Sequence, residues 1–274
     1  MKRFSNQILG GTRLDSHGEH LPRELLQKLC EKLAGRRLPL HQHHDMARQT
    51  LGYIENLHLA PDKNLPGEWS LVGDVMVEAA NVDEALKGFS ISTTQPIREV
   101  QHPDLLLYLP FPIYNDQAFL DTLFEDSTLT VGKLIKKHAE LDLWAVFGAT
   151  IIVLVTPIWD DLYKRKIAPL IERFLRDHLP RLKEKGVRLE HIQPIEHQSQ
   201  VIELRFIPSP GKEEFCFAPE LLQRGISIAI AHLEQDVRFV NPGIERIVLY
   251  YDPSTRSYII LRVEYNDGAV EQNV

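Results

Sequence analysis

Within PLHQHHDMARQTLGY (39–53), His41, His43, His44 and Asp45 fall in five consecutive positions, and these are residue types that bind metal or move protons. Zinc would take three such imidazoles with a carboxylate or a water. The spacing is poor for it: on an extended chain His41 and His43 share one side and His44 points away, and no HExxH or Cys/His pattern accompanies them. Six histidines lie in the first 58 residues (His17, His20, His41, His43, His44 and His58), yet a solvated polar loop accounts for the cluster better, and neither metal nor cofactor is expected. The second chemistry is nucleophilic. In ANVDEALKGFSIS (79–92) a short helix would close on Gly88 in a left-handed cap and set Ser90 early on the next strand. An imidazole beside that hydroxyl would take its proton as the oxygen attacks a carbonyl carbon. Alone the pair is a weak signal, because such sites are recognised by geometry and no GxSxG elbow is present.

The elements that would position these residues follow from periodicity. LPRELLQKLCEKLAG (21–35) spaces Leu26, Leu29, Cys30 and Leu33 for an amphipathic helix, with Pro22 in its first turn and Gly35 as its cap. Strand-like runs occupy 50–59, 69–79, 88–92 and 105–113 between Pro, Asn, Asp and Gly punctuation. After Asn115, DQAFLDTLFED and TLTVGKLIKKHAEL read as short helices. They lead into LWAVFGATIIVLVTPIW (143–159), 17 residues without a charge. As a helix this run would reach roughly 25 Å, short of the ~30 Å hydrocarbon core. Trp144 and Trp159 at its ends favour a membrane span; the competing reading is a buried helix or a central strand, since β-branched residues crowd 150–156. Basic residues flank both sides and choose no orientation.

Beyond it, Tyr163, Ile167, Leu170, Ile171 and Phe174 form one helical face. A strand over 200–208, a helix from Pro219 to about Val237 and a hairpin of ERIVLYY with SYIILRVEY complete a small α+β region. GISIAIAHL fits both periods; Leu222, Ile226, Ala229 and Leu233 on one face decide for helix. The expected class is α+β, with a protease-like β-barrel domain over 1–115, a helical connector over 116–179 holding the apolar span, and an α+β domain over 180–274.

Composition excludes several classes. With 43% hydrophobic and 25% charged residues the chain is built to fold, and a net charge of -7 with pI near 5.9 offers no basic face, so nucleic acid is not an expected partner. Cys30 and Cys216 form no CxxC pair. MKRFSNQILGG lacks the apolar core of a signal peptide, which places the first domain in the cytoplasm, anchored by 143–159 if that run spans a membrane.

In order, LDSHGEHLP (14–22), LPLHQHHDMARQTLGYIE (38–55), VDEALKGFSIS (82–92) and EVQHPDLLLYLPFPIYN (99–115) resemble the prohead (capsid maturation) serine proteases of tailed phages, over residues 8–115 or about 40% of the chain. In that family a D-x-x-G-E-like strand precedes an HD…G segment, matched by His44, Asp45 and Gly52; a serine motif matched by Gly88, Phe89 and Ser90 follows. The resemblance implies a compact barrel of the herpesvirus assemblin type, with His44 as general base and Ser90 as acyl-forming nucleophile. Asp104, one residue out of register, or His102 would orient the imidazole. Ser92 stands where the family has glycine, which bears on the oxyanion hole. The implied partner is a protein or peptide substrate, the chain itself included; a homo-oligomer stays open. The polar, helical continuation usual in the family is absent, and the competing class is a non-enzymatic scaffold or partner-binding protein, since fold does not guarantee chemistry.

Overall fold

The computed structural model describes residues 1–15, 18–41, 46–78, 82, 90–138, 148–153, 165 and 167–272. Contacts divide the chain into unit 1 (1–93, 135–146 and 266–270) and unit 2 (94–134, 147–265 and 271–274).

Unit 1 is organised by one antiparallel sheet of β1 (Lys2–Gly11), β2 (Leu38–His41), β3 (Thr50–Pro61) and β4 (Trp69–Val77), in the order β1-β4-β3-β2. Leu71, Val75 and Val77 of inner strand β4 pack with Leu9, Leu40, Leu51 and Ile54. Helix α1 (Arg23–Leu33) buries Leu26 with Leu21 and Ile135 and rests Leu29 and Cys30 on the sheet core, as its spacing predicts. Strands β1 and β3 each bulge where an asparagine takes a left-handed backbone, Asn6 at φ 52° and Asn56 at φ 57°. Asp74 on β4 serves both bulges. Its carboxylate accepts from the Asn6 N–H (3.0 Å), the Asn56 amide (2.8 Å) and the Arg3 guanidinium (2.7 Å). Those hydrogen bonds, that of Asn56 first, hold its pKa down to about 2.

Unit 2 is built on a mixed sheet with the order β13-β12-β11-β10-β9-β8-β6-β7-β5. Its strands are β5 (Ser90–Arg98), β6 (Leu105–Leu109), β7 (Leu129–His138), β8 (Gly148–Val153), β9 (Arg188–His197), β10 (Gln200–Ile207), β11 (Ile244–Asp252), β12 (Ser257–Tyr265) and β13 (Val270–Gln272). Each parallel pair needs a crossover. Helix α2 (Gln117–Phe124) joins β6 to β7, α3 (Ala168–Asp177) and α4 (Leu179–Glu184) lie between β8 and β9, and α5 (Glu213–Cys216) and α6 (Pro219–Gln235) link β10 to β11. One sheet face carries Leu107, Leu204, Phe206, Leu249 and Val263 into a core with Phe174, Leu182, Leu222, Ile226, Ala229 and Leu233 of the helices. The helical period wins in GISIAIAHL because that face, and not the alternating isoleucines, is what the core accepts.

Three expectations are corrected. Among the described residues there is no closed barrel; unit 1 holds an open sheet. No helix among them is long and apolar enough to cross a membrane, and the middle of the 143–159 run is β8, antiparallel to β6 and parallel to β9. A strand paired on both edges has its backbone groups satisfied by its neighbours, and the β-branched Thr150, Ile151, Ile152 and Val153 favour the extended form. The segment expected to be a second short helix, TLTVGKLIKKHAEL, is β7, whose Leu129, Val131 and Ile135 are buried through pairing with β6 and packing that no local window contains.

Candidate functional site

The sheet of unit 1 brings two chain segments to one end. His41, the last residue of β2, pairs with Thr50 at the start of β3, so positions 42–49 form the connection there. At the same end Gly52 pairs with Val77, and the Glu78 N–H donates to the Leu51 carbonyl (3.0 Å) as the chain leaves β4 towards Ser90. Gly52 is required by this geometry. At φ 157° a Cβ would stand 1.9 Å from the Met76 carbonyl oxygen, so the two strands meet this closely only without a side chain. His43, His44, Asp45, Gly88 and Phe89 lie outside the described residues. Ser90 opens β5, with its side chain outside them.

The remaining predicted residues are placed as follows. His102 is exposed, and Asp104 is half-buried ahead of β6, its N–H donating to the Thr128 carbonyl (3.0 Å). Of the D-x-x-G-E element, the described Asp15, Gly18 and Glu19 lie outside any strand: β1 ends at Gly11, the Glu19 N–H donates to the Asp15 carboxylate (2.8 Å), and the Asp15 N–H to the Glu19 carbonyl (3.1 Å).

Beside Asp104 lies a cluster that sequence spacing does not expose. Asp126 accepts from the Thr128 N–H (2.9 Å) and hydroxyl (2.7 Å), and its second oxygen lies 3.2 Å from His178 Nε2 and 3.7 Å from Arg173. Arg173 also donates to the Thr128 hydroxyl. Burial pushes the Asp126 pKa up, but these hydrogen bonds and the arginine outweigh it and hold it below the usual carboxylate range. His178 is only 5% exposed. This carboxylate–imidazole pair ties the end of α3 to the turn before β7. Its members are 52 residues apart, and DST, a plain turn signature, is its one local trace.

On the sheet face away from the helices, opposite charges run across four strands. Glu190 of β9 meets Arg205 of β10 (3.6 Å), Arg205 meets Glu203 (2.9 Å), and Glu203 meets Arg246 of β11 (2.6 Å). Arg246 then reaches Glu264 of β12 (2.6 Å), which also holds Arg262 (2.7 Å). Burial raises the Glu203 pKa, and Arg205 and Arg246 reverse this, bringing it to about 2. The i, i+2 spacing in ELR (203–205) and RVE (262–264) is the sequence trace of this row. Its charges neutralise one another, which is the work of a structural ladder.

Among the described residues no group of three or more His, Cys, Asp or Glu side chains is placed to hold a metal ion. No protein-family model, no curated protein and no solved structure matches the chain.

Proposed function

We propose that this chain is a serine peptidase in which Ser90 is the acyl-forming nucleophile and His44 its general base, acting on a protein or peptide that includes the chain itself as a substrate. The observation that carries the reading is the common end of the unit 1 sheet: the β2–β3 connection, which contains His44, and the exit of β4 towards Ser90 start from residues joined by the His41–Thr50 and Gly52–Val77 pairings. The order of the HD…G and GFS segments, with Gly52 under a steric requirement, supports it further. The imidazole would accept the Ser90 proton as Oγ attacks the peptide carbonyl, return it to the leaving amine, and activate water to hydrolyse the acyl-enzyme. The barrel implied by the prohead protease resemblance is no part of the proposal.

Labelling of the full chain with a fluorophosphonate tests it. Wild type is expected to label, and Ser90→Ala and His44→Ala to lose labelling by about a hundredfold or more. The same assay on Asp104→Asn and His102→Ala assigns the orienting group. A folded wild-type chain that never labels would end the peptidase reading and leave the scaffold reading in its place.

A further inference from the structure

One edge of the unit 2 sheet is formed by β13, a strand of three residues whose side chains are all half-exposed. Ordering such a segment costs backbone entropy at every residue, and so short a ladder offsets little of it. Its middle residue, Glu271, carries a further hold. The Glu271 carboxylate pairs with the Arg238 guanidinium and lies 3.1 Å from the Tyr265 hydroxyl at the end of β12.

Arg238 belongs to the single turn Val237–Phe239 that follows α6, and its guanidinium covers the Tyr265 ring at 4.1 Å. Asp236 ties this turn down. Its N–H donates to the His232 carbonyl in the last turn of α6 (2.9 Å), one of its carboxylate oxygens accepts from the Arg238 N–H (2.9 Å), and the other accepts from the Tyr265 hydroxyl (2.5 Å) with His232 Nε2 at 3.4 Å. Elements α6, β12 and β13 of unit 2 thus meet around this turn.

The two halves of the cluster differ in their access to water. Tyr265 is 1% exposed and the Asp236 side chain 5%, whereas the side chains of Arg238 and Glu271 are 41% and 42% exposed. Dissolved ions screen an exposed pair and act much less on a buried contact.

We propose that Asp236, Arg238, Tyr265 and Glu271 form a two-stage ionic latch on this sheet edge: the exposed Glu271–Arg238 pair holds β13 on β12 and yields to salt, while the buried Asp236–Tyr265 contact keeps the turn after α6 in place when β13 leaves. Release bares the stretch of the β12 edge that β13 covers, with its backbone N–H and C=O groups open to a new partner.

Hydrogen exchange on the full chain, with rates referred to an unstructured peptide at the same salt, tests the latch. Between about 0.05 M and about 1 M sodium chloride, exchange at 271–272 is expected to rise about fivefold, while 236–239 and β9–β11 keep their protection. Glu271→Gln should show the faster exchange at low salt already and lose the salt dependence. Asp236→Asn, which weakens the buried half, should speed exchange over 236–239 as well, with β9–β11 reporting that each variant is folded. Exchange at 271–272 that responds neither to salt nor to Glu271→Gln would overturn the latch, since strand pairing alone would then hold β13. A rise shared evenly with β9–β11 would overturn it too, because the edge would open only with the whole sheet. Unchanged exchange over 236–239 in Asp236→Asn would remove the inner stage.

Discussion

His191 shows how far one side chain can depart from its usual chemistry without being a site. It faces the core of unit 2, with the Phe206 and Phe217 rings 5.5 and 6.0 Å away, and burial pushes its pKa from 6.5 down to about 3. A folded-state pKa below the unfolded value means that the unfolded chain takes up the proton first as pH falls. Stability is therefore fully present above about pH 6.5 and is lost between there and about pH 3. Urea denaturation at pH 7 and pH 5 should show the wild type losing about 2 kcal/mol more than His191→Leu over that interval, at about 1.4 kcal/mol per pH unit. Equal losses would mean that the imidazole is solvated. Of the histidines that drew attention by clustering, only His41 of the 41–44 group is described, so number and spacing alone pointed to a place and not to an environment.

At the scale of elements, strands and helices were legible wherever a local period matched the face the core uses. Helix α6 follows Leu222, Ile226, Ala229 and Leu233, and the β11–β12 hairpin follows its turn. The period failed for β7 and β8, whose partners β6 and β9 lie tens of residues away in sequence. The charge ladder is an element-scale device too, since Arg246 on β11 joins Glu203 on β10 to Glu264 on β12, which is 1% exposed. Arg246→Met should destabilise unit 2 by about 1–3 kcal/mol, because Glu203 then keeps only Arg205 and the buried Glu264 only Arg262. A loss under about 1 kcal/mol in chemical denaturation would show the row to be an ordinary surface network.

For the whole molecule, the larger apolar clusters described in unit 1 and in unit 2 predict two levels of protection. Leu9, Leu51, Leu71 and Val75 close the sheet of unit 1, and the larger core of unit 2 runs from Leu105 to Tyr265. Asp74→Ala removes the acceptor shared by Asn6, Asn56 and Arg3 and should cost about 1–3 kcal/mol. That cost should appear as faster amide exchange in β1, β3 and β4 while β9–β12 keep theirs. A uniform rise across the chain would mean that the two cores unfold as one.

The sequence by itself determined the α+β character and the faces of α1, α3 and α6, because each is set by residues within a few positions of one another. It also determined which side chains deserve a test as nucleophile and base. Tertiary structure alone decided that the apolar run at 148–153 is an inner strand, that the first sheet stays open, that Asp126 meets His178 across 52 residues, and that a loop near the chain's far end lies on the start of β2. The physical reason is the same in each case: burial, pairing and close approach depend on partners that are distant in sequence, and an apolar or charged residue carries no mark of which partner it will meet.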